Sequence, residues 1–278
     1  MMVDGDDWLT NDAIEKLYNL RDGNDIVIGI YYENYPNSEI FAGKSDEYNK
    51  VFSYDIKNNR NRILNYVLEE VDIPELDKIK CNLSSPWAKL YNKNYLNENN
   101  IRFVPGQVRA QDEVFNLYAF NFAEKIAIVN YPVYHYRLWE NSICRKVTAK
   151  KVSLNIYEKW HDEVRKFIET FGYESEMNDA YNLFVMNLLT GVLKSYVNGY
   201  WDKNCTYREA ISGIKEFANR DEFRNLIENY EINRFTSKKI KLMSKLWKNK
   251  SYNLLIAVCT VYRIKNKIKN YKSGMSTK

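Results

Sequence analysis

The sequence predicts an α/β fold: a mixed sheet with flanking helices, followed by a mainly α-helical C-terminal region. Three observations carry that expectation. Two runs rich in Ile, Val and Tyr, DIVIGIYYEN (25–34) and KIAIVNYPVYHYRL (125–138), read as strands. Between them lie segments whose apolar residues recur at helical spacing. Beyond residue 150 the period is helical almost without interruption. The change of texture at 145–152 divides the chain into residues 1–147 and 148–278.

The elements follow in order. VDGDDWL (3–9) occupies a strand end or loop, ahead of helix-like sequence from about Asn11. In NRILNYVLEEV (61–71), Ile63, Val67 and Val71 stand four apart and form a helix face. NIRFVPG (100–106) reads as a short strand ended by Pro-Gly. QDEVFNLYAFNFAEK (111–125) reads as a helix with acid at its start and Lys at its end, the polarity that the helix dipole favours. Pro132 is expected to break the last strand-like run. In the second region Ile156, Trp160, Val164, Phe167 and Phe171 make one apolar stripe. YNLFVMNLLTGVLKSYV (181–197) is apolar enough for a central buried helix, and TYRE (206–209) is a capping box opening the next.

Composition narrows the function classes. The 278 residues, 45% hydrophobic and 28% charged, are enough for a substantial core, and 10 Gly with 5 Pro argue against long disordered linkers. The 23 Tyr read first as compositional drift, although exposed Tyr also suits carbohydrate stacking and interfaces. Cys81, Cys144, Cys205 and Cys259 are widely separated, as expected of reduced, mostly buried thiols in a cytosolic protein. With only His135 and His161, a multi-His metal site is excluded. No signal-peptide pattern is visible, and LLIAVCTVY (254–262) is too short to cross a bilayer. The net charge of +5 is uneven, because Ser237 to Lys278 contains no Asp or Glu.

Asp4, Asp6 and Asp7 crowd three carboxylates into four residues. In extended geometry Asp4 and Asp6 face the same way, and two such hard oxygen ligands suit Mg²⁺ or Mn²⁺ shared with a phosphorylated substrate. The other reading is an acidic turn in which Asp7 or Asn11 caps the helix that follows. Asp112 either works as a base or caps the helix it opens, where the dipole is expected to keep it ionised. Arg137 suits either diphosphate oxygens or a surface salt bridge. His135, between two aromatics, reads as packed, Trp87 reads as core, and Trp139 is a further candidate for stacking on sugar faces.

Four stretches in one order carry a resemblance. VDGDDWL resembles the Asp-X-Asp segment of family 2 glycosyltransferases, the bacterial polysaccharide-building group of GT-A type. PWAKLYNKNYLNENNIRF (86–103) is similar to that family's Trp-x-Lys-Leu-Tyr segment, QDEVFN (111–116) to its Glu-Asp-Glu-x-Phe, and YHYRLWENSI (134–143) to its Tyr-Tyr-Arg segment ending in Asn-Ser-Ile. The resemblance covers roughly residues 1–145. It implies a GT-A (Rossmann-like) mixed sheet and an inverting transfer of sugar from a nucleotide-diphosphate-sugar to a glycan or lipid-linked acceptor in cell-surface polysaccharide synthesis. Asp4 would stand on the ribose and phosphate side of the donor, Asp6 would ligate Mn²⁺ or Mg²⁺, and Asp112 matches the general base. Gln111 and Pro105 depart from the pattern, where acidic residues are usual, and put acceptor positioning in doubt.

Family members place Asp-X-Asp after a βαβ unit that holds the nucleobase, and this sequence begins at Asp-X-Asp. The expectation is therefore an incomplete GT-A domain with an open strand edge, whether through a late recorded start, a split gene or a remnant. The competing reading is an inactive transferase remnant acting as an interaction or membrane-surface protein. The basic stretches SKKIKLMSKLWKNK (237–250) and RIKNKIKNYK (263–272) flank an apolar run. They suit either peripheral contact with anionic lipid at the inner face of the plasma membrane or a solvated basic helix packed on the rest. Nucleic acid is not expected as a partner, for want of a recognisable binding module.

Overall fold

The computed structural model describes residues 1–71, 73, 76, 81–138, 154–231 and 236–272. Its described residues fall into two compact units, one drawn from 1–138 and 162–180, the other from 154–161 and 181–272. The first unit is α/β, as expected. Its sheet centres on two long strands, β2 (Ile26–Tyr35) and β6 (Lys125–Arg137), which pair in parallel. Short antiparallel strands complete it: β1 (Trp8–Leu9) and β4 (Val51–Asp55) on β6, and β3 (Ser38–Phe41) and β5 (Lys89–Tyr91) on β2.

Burial explains why the central strands read as continuous apolar runs. Val27, Ala127 and Val129 pack with Ala13 and Leu17 of helix α1 (Ala13–Tyr18), while the alternate residues Ile26, Ile28, Ile126 and Ile128 are equally buried. A parallel pair with both faces covered has no polar face to alternate with. Helix α2 (Ile56–Glu69) packs against α4 (Gln111–Phe122); in chain order the short helix α3 (Lys93–Glu98) comes between them.

Three local expectations are corrected. Pro132 does not break β6; it sits where the β2–β6 register shifts, so the missing N–H falls at an irregularity in the ladder. Residues 100–106 form no strand. The Ile101 N–H donates to Leu96 O at 2.9 Å and Phe103 stacks on Phe115 at 4.5 Å, so the segment returns onto α3 and α4. Helix α4 ends at Phe122, and Lys125 begins β6 instead of closing the helix.

Gly29 marks the tightest approach of the central pair. A Cβ there would lie 2.3 Å from Val133 Cγ2 and 2.7 Å from Cγ1. Gly29→Ala should therefore destabilise the protein by about 1–3 kcal/mol through overpacking, read as a lower urea midpoint at unchanged slope.

The helical region contains α5 (Leu154–Phe171), α6 (Asn178–Trp201), α7 (Tyr207–Ala218), α8 (Asp221–Asn229), α9 (Lys238–Lys248) and α10 (Tyr252–Lys272). The expected stripe lies on α5, but its ends belong to different units. Phe167 and Phe171 pack edge-on against Tyr118 of α4 in the first unit, whereas Trp160 packs against Phe184 in the second. Leu188, Leu189, Val192, Leu193 and Val197 bury α6, as its composition predicted. The Thr206–Glu209 capping box is present, with Glu209 N–H donating to Thr206 Oγ1 at 3.2 Å. Cys81 and Cys259 are buried free thiols and Cys205 is partly buried; Cys144 lies outside the described residues.

Candidate functional site

The acidic segment forms a turn, closed by the Asp7 N–H on Asp4 O at 3.2 Å, and Tyr134 of β6 pins it. The Asp4 N–H donates to Tyr134 Oη at 3.1 Å, and Tyr134 Oη donates to Asp7 Oδ2 at 2.8 Å. The Arg137 backbone N–H donates to Asp7 Oδ1 at 2.7 Å. Tyr134 is itself held by Trp87, which is buried and stacks on it at 4.8 Å, so Trp87 has the core role expected of it. Asp7 is thereby the residue that fastens the turn. It does not cap α1, and neither does Asn11: Asp12 stands at the cap position, without a capping bond from its side chain. Its carboxylate accepts from Tyr131 Oη at 2.6 Å.

Asp4 and Asp6 are exposed, and no hydrogen bond or ion pair among the described residues occupies either carboxylate. Burial raises the Asp4 carboxyl above the usual carboxylate range, and the charges of Asp7, Asp112 and Asp6 raise it further. Asp112 therefore lies within electrostatic reach of Asp4, although it stands 108 positions further along the chain.

Asp112 lies in the first turn of α4, as predicted. The helix terminus does not set its pKa alone. Burial pushes its carboxyl up, against the opposing effects of its own backbone N–H and of Lys89. Desolvation outweighs the helix terminus here. The residue before α4, Ala110, adopts left-handed φ of 51°, and so does Ala88 at 55°, immediately before Lys89. For a residue with a Cβ that conformation costs about 1–2 kcal/mol, strain held at the two segments that deliver Lys89 and Asp112.

Lys89 carried no role in the sequence reading. It is fully buried and donates through Nζ to Asn82 O at 2.7 Å and to Ser85 O. Desolvation pulls its amine down to about 7, against the opposing effects of Cys81 and Asp112. The neighbouring Cys81 thiol is pushed up to about 12 by burial, so it stays neutral at physiological pH. A polar network joins this loop to α4: Asn116 Nδ2 donates to Ser84 O at 2.8 Å and to Asp112 O at 3.0 Å, and Tyr91 Oη donates to Asn116 Oδ1 at 2.7 Å. The available signal was a lysine inside the apolar WAKLY run, at alternate spacing with Tyr91 on a strand.

The Arg137 guanidinium lies 5.1 Å from the Trp8 ring centre. His135 is a packed residue, as expected, stacked on Trp8 at 4.9 Å and on Tyr32 at 5.1 Å, with Nδ1 2.9 Å from Glu39 Oε2. Trp139 lies outside the described residues.

The donor set suits a hard divalent cation. Asp4 and Asp6 are both unengaged, and the like charge that helps to raise the Asp4 carboxyl is what such an ion would relieve. Among the described residues no three acidic groups of this neighbourhood converge within 4.8 Å. An ion at Asp4 and Asp6 would find one or two ligands there, and substrate phosphate and water would complete the shell.

No family model matches the chain. Two curated relatives, both named as glycosyltransferases, are similar to it in sequence. EpsH of Bacillus subtilis (strain 168) is 25% identical over 188 residues, 61% of this chain and 49% of the relative. GlyA of Streptococcus pneumoniae serotype 4 (strain ATCC BAA-334 / TIGR4) is 29% identical over 155 residues, 53% of this chain and 20% of the relative. The chain thus spans half or less of the relatives it matches. A solved structure of S. aureus TarS 1-349 in complex with UDP aligns at 15% identity and TM-score 0.47, covering 95% of this chain and 66% of that one. A TM-score below 0.5 gives that likeness no weight here.

Proposed function

We propose that this chain, similar in sequence to glycosyltransferases, is an inverting family 2 transferase with a GT-A-type donor site, acting on a nucleotide-diphosphate-sugar and a glycan or lipid-linked acceptor in cell-surface polysaccharide synthesis at the cytoplasmic face. The observation that supports this most is that the charge of the partly buried Asp112 reaches Asp4, whose carboxylate, like that of Asp6, is unengaged.

Asp6 would hold Mn²⁺ or Mg²⁺, with Asp4 toward the ribose and phosphate. Such an ion supplies Lewis-acid neutralisation of the diphosphate as it leaves. Asp7, held by Tyr134 and the Arg137 N–H, keeps that turn in one conformation. The Arg137 guanidinium pairs with diphosphate oxygens. Asp112 takes the proton of the acceptor hydroxyl while that oxygen bonds to the anomeric carbon from the face opposite the leaving group. The bond from that carbon to the diphosphate oxygen breaks, and configuration inverts.

Calorimetry of a uridine or guanosine diphosphate-sugar with and without Mn²⁺ tests the reading. Wild-type protein should bind in a manganese-dependent manner, and Asp6→Ala should weaken binding by at least about 10-fold, in the range seen for loss of groups that support a metal. Equal binding by Asp6→Ala would remove the metal role.

A further inference from the structure

The last helix presents a feature that the donor site does not use. On α10, Leu254, Val261, Ile264 and Ile268 are 57%, 50%, 48% and 52% exposed. Their spacings of 7, 3 and 4 residues put them on one face, a stripe about 21 Å long. Leu255, Ile256 and Cys259, on the opposite side, are buried and supply the packing, so the stripe is not needed for the core.

Aromatic residues flank it in fixed register. Trp201 Nε1 donates to Thr260 Oγ1 at 3.2 Å, beside Val261, and Tyr207 Oη donates to Asn253 Oδ1 at 2.9 Å, beside Leu254. Tyr200 bridges the two rings, 5.6 Å from each. All three aromatics are exposed. Charge completes the pattern. Residues 237–278 contain 11 Lys and 1 Arg and no acid, and Lys265, one turn beyond Val261 on the helix, is exposed. The nearby Asp202 is neutralised by Arg263 at 2.6 Å.

We propose that this face of α10, with Trp201 and Tyr207 along its edge, docks on the surface of an anionic phospholipid bilayer, lying in the interface plane. An exposed apolar stripe, indole and phenol rings beside it, and cationic surroundings together suit the headgroup boundary. A second copy of this chain is a poorer occupant, because it would bring an equally acid-free segment against this one. Among the described residues no helix is long and apolar enough to cross a membrane, so the contact is peripheral. This proposal stands apart from the donor site and needs no turnover to test.

The full chain should be floated with vesicles of phosphatidylcholine alone and of phosphatidylcholine with about one-third phosphatidylglycerol. It should bind the anionic vesicles at least about 10-fold more tightly, and raising salt from about 0.05 to about 0.5 M should release it. Val261→Ser with Ile264→Ser should weaken binding about 10-fold or more, and Lys265→Glu about 5-fold or more, with unchanged circular dichroism. The vesicle-induced blue shift of tryptophan emission should shrink in Trp201→Phe. Equal partition onto neutral vesicles, absence of binding, or variants that bind like wild type would overturn the proposal. So would a concentration-dependent dimer that Val261→Ser abolishes while vesicles go unbound.

Discussion

Asp112→Asn should leave donor binding unchanged and reduce release of nucleoside diphosphate from a uridine or guanosine diphosphate-sugar by about 10²- to 10⁴-fold, the usual span for loss of a general base. The amide matches the carboxylate in size, and the contacts that hold this turn of α4 do not depend on the charge. The Asp112 backbone carbonyl accepts from Asn116 Nδ2, and the Val114 N–H donates to Ala110 O at 3.2 Å. What the variant loses is an oxygen that can take a proton. Burial raises the Asp112 carboxyl, so wild-type turnover should fall with acidification at a pH above that of an ordinary aspartate. Because Asp112 is one of the charges that raise Asp4, carboxylate NMR should also find the Asp4 pKa lowered in Asp112→Asn. Full turnover by the variant rejects Asp112 as base. An unmoved Asp4 rejects the electrostatic reach of Asp112.

Lys89→Met should flatten the rise of stability with pH above neutrality. In the native protein the Lys89 amine releases its proton near pH 7, whereas an ordinary lysine in the unfolded chain holds it to about pH 10.4. Between those values the unfolded state binds more protons, so stability grows with pH. The contribution is fully present above the unfolded pKa and is lost as pH falls through about 7. Its whole size is on the order of 5 kcal/mol, or about 1.4 kcal/mol per pH unit inside the window. Urea unfolding of wild type and Lys89→Met at intervals from about pH 6 to about pH 10 reads this directly. The two curves should diverge with that slope above neutrality; parallel curves would refute it. The carbonyls of Asn82 and Ser85 lose their donor in the variant, a cost of about 1–3 kcal/mol apiece that does not vary with pH.

These two residues mark what residue order makes legible and where it stops. Asp112 was legible because it belongs to an acidic start on a strongly patterned helix and to an ordered set of motifs. Lys89 belongs to such a motif too, yet a lysine in an apolar run says nothing of which carbonyls it reaches. Those carbonyls come from a loop that α4 anchors through Asn116. The NIRFVPG segment failed for a related reason. Its β-type composition is real, but a strand needs a partner, and residues 101–103 find α3 and α4 instead.

Strand and helix periods, the free thiols, the capping box and the acid-free C-terminal segment follow from residue order alone, since each depends on neighbours within a few positions. Tertiary structure decided what distant segments do to one another. It set Tyr134 to clamp Asp7, engaged that carboxylate while leaving Asp4 and Asp6 without partners, and laid Trp201 and Tyr207 beside the α10 stripe. It also raised the Asp112 carboxyl above the usual carboxylate range, because desolvation depends on everything packed around a group and the local helix end is one part of that surrounding.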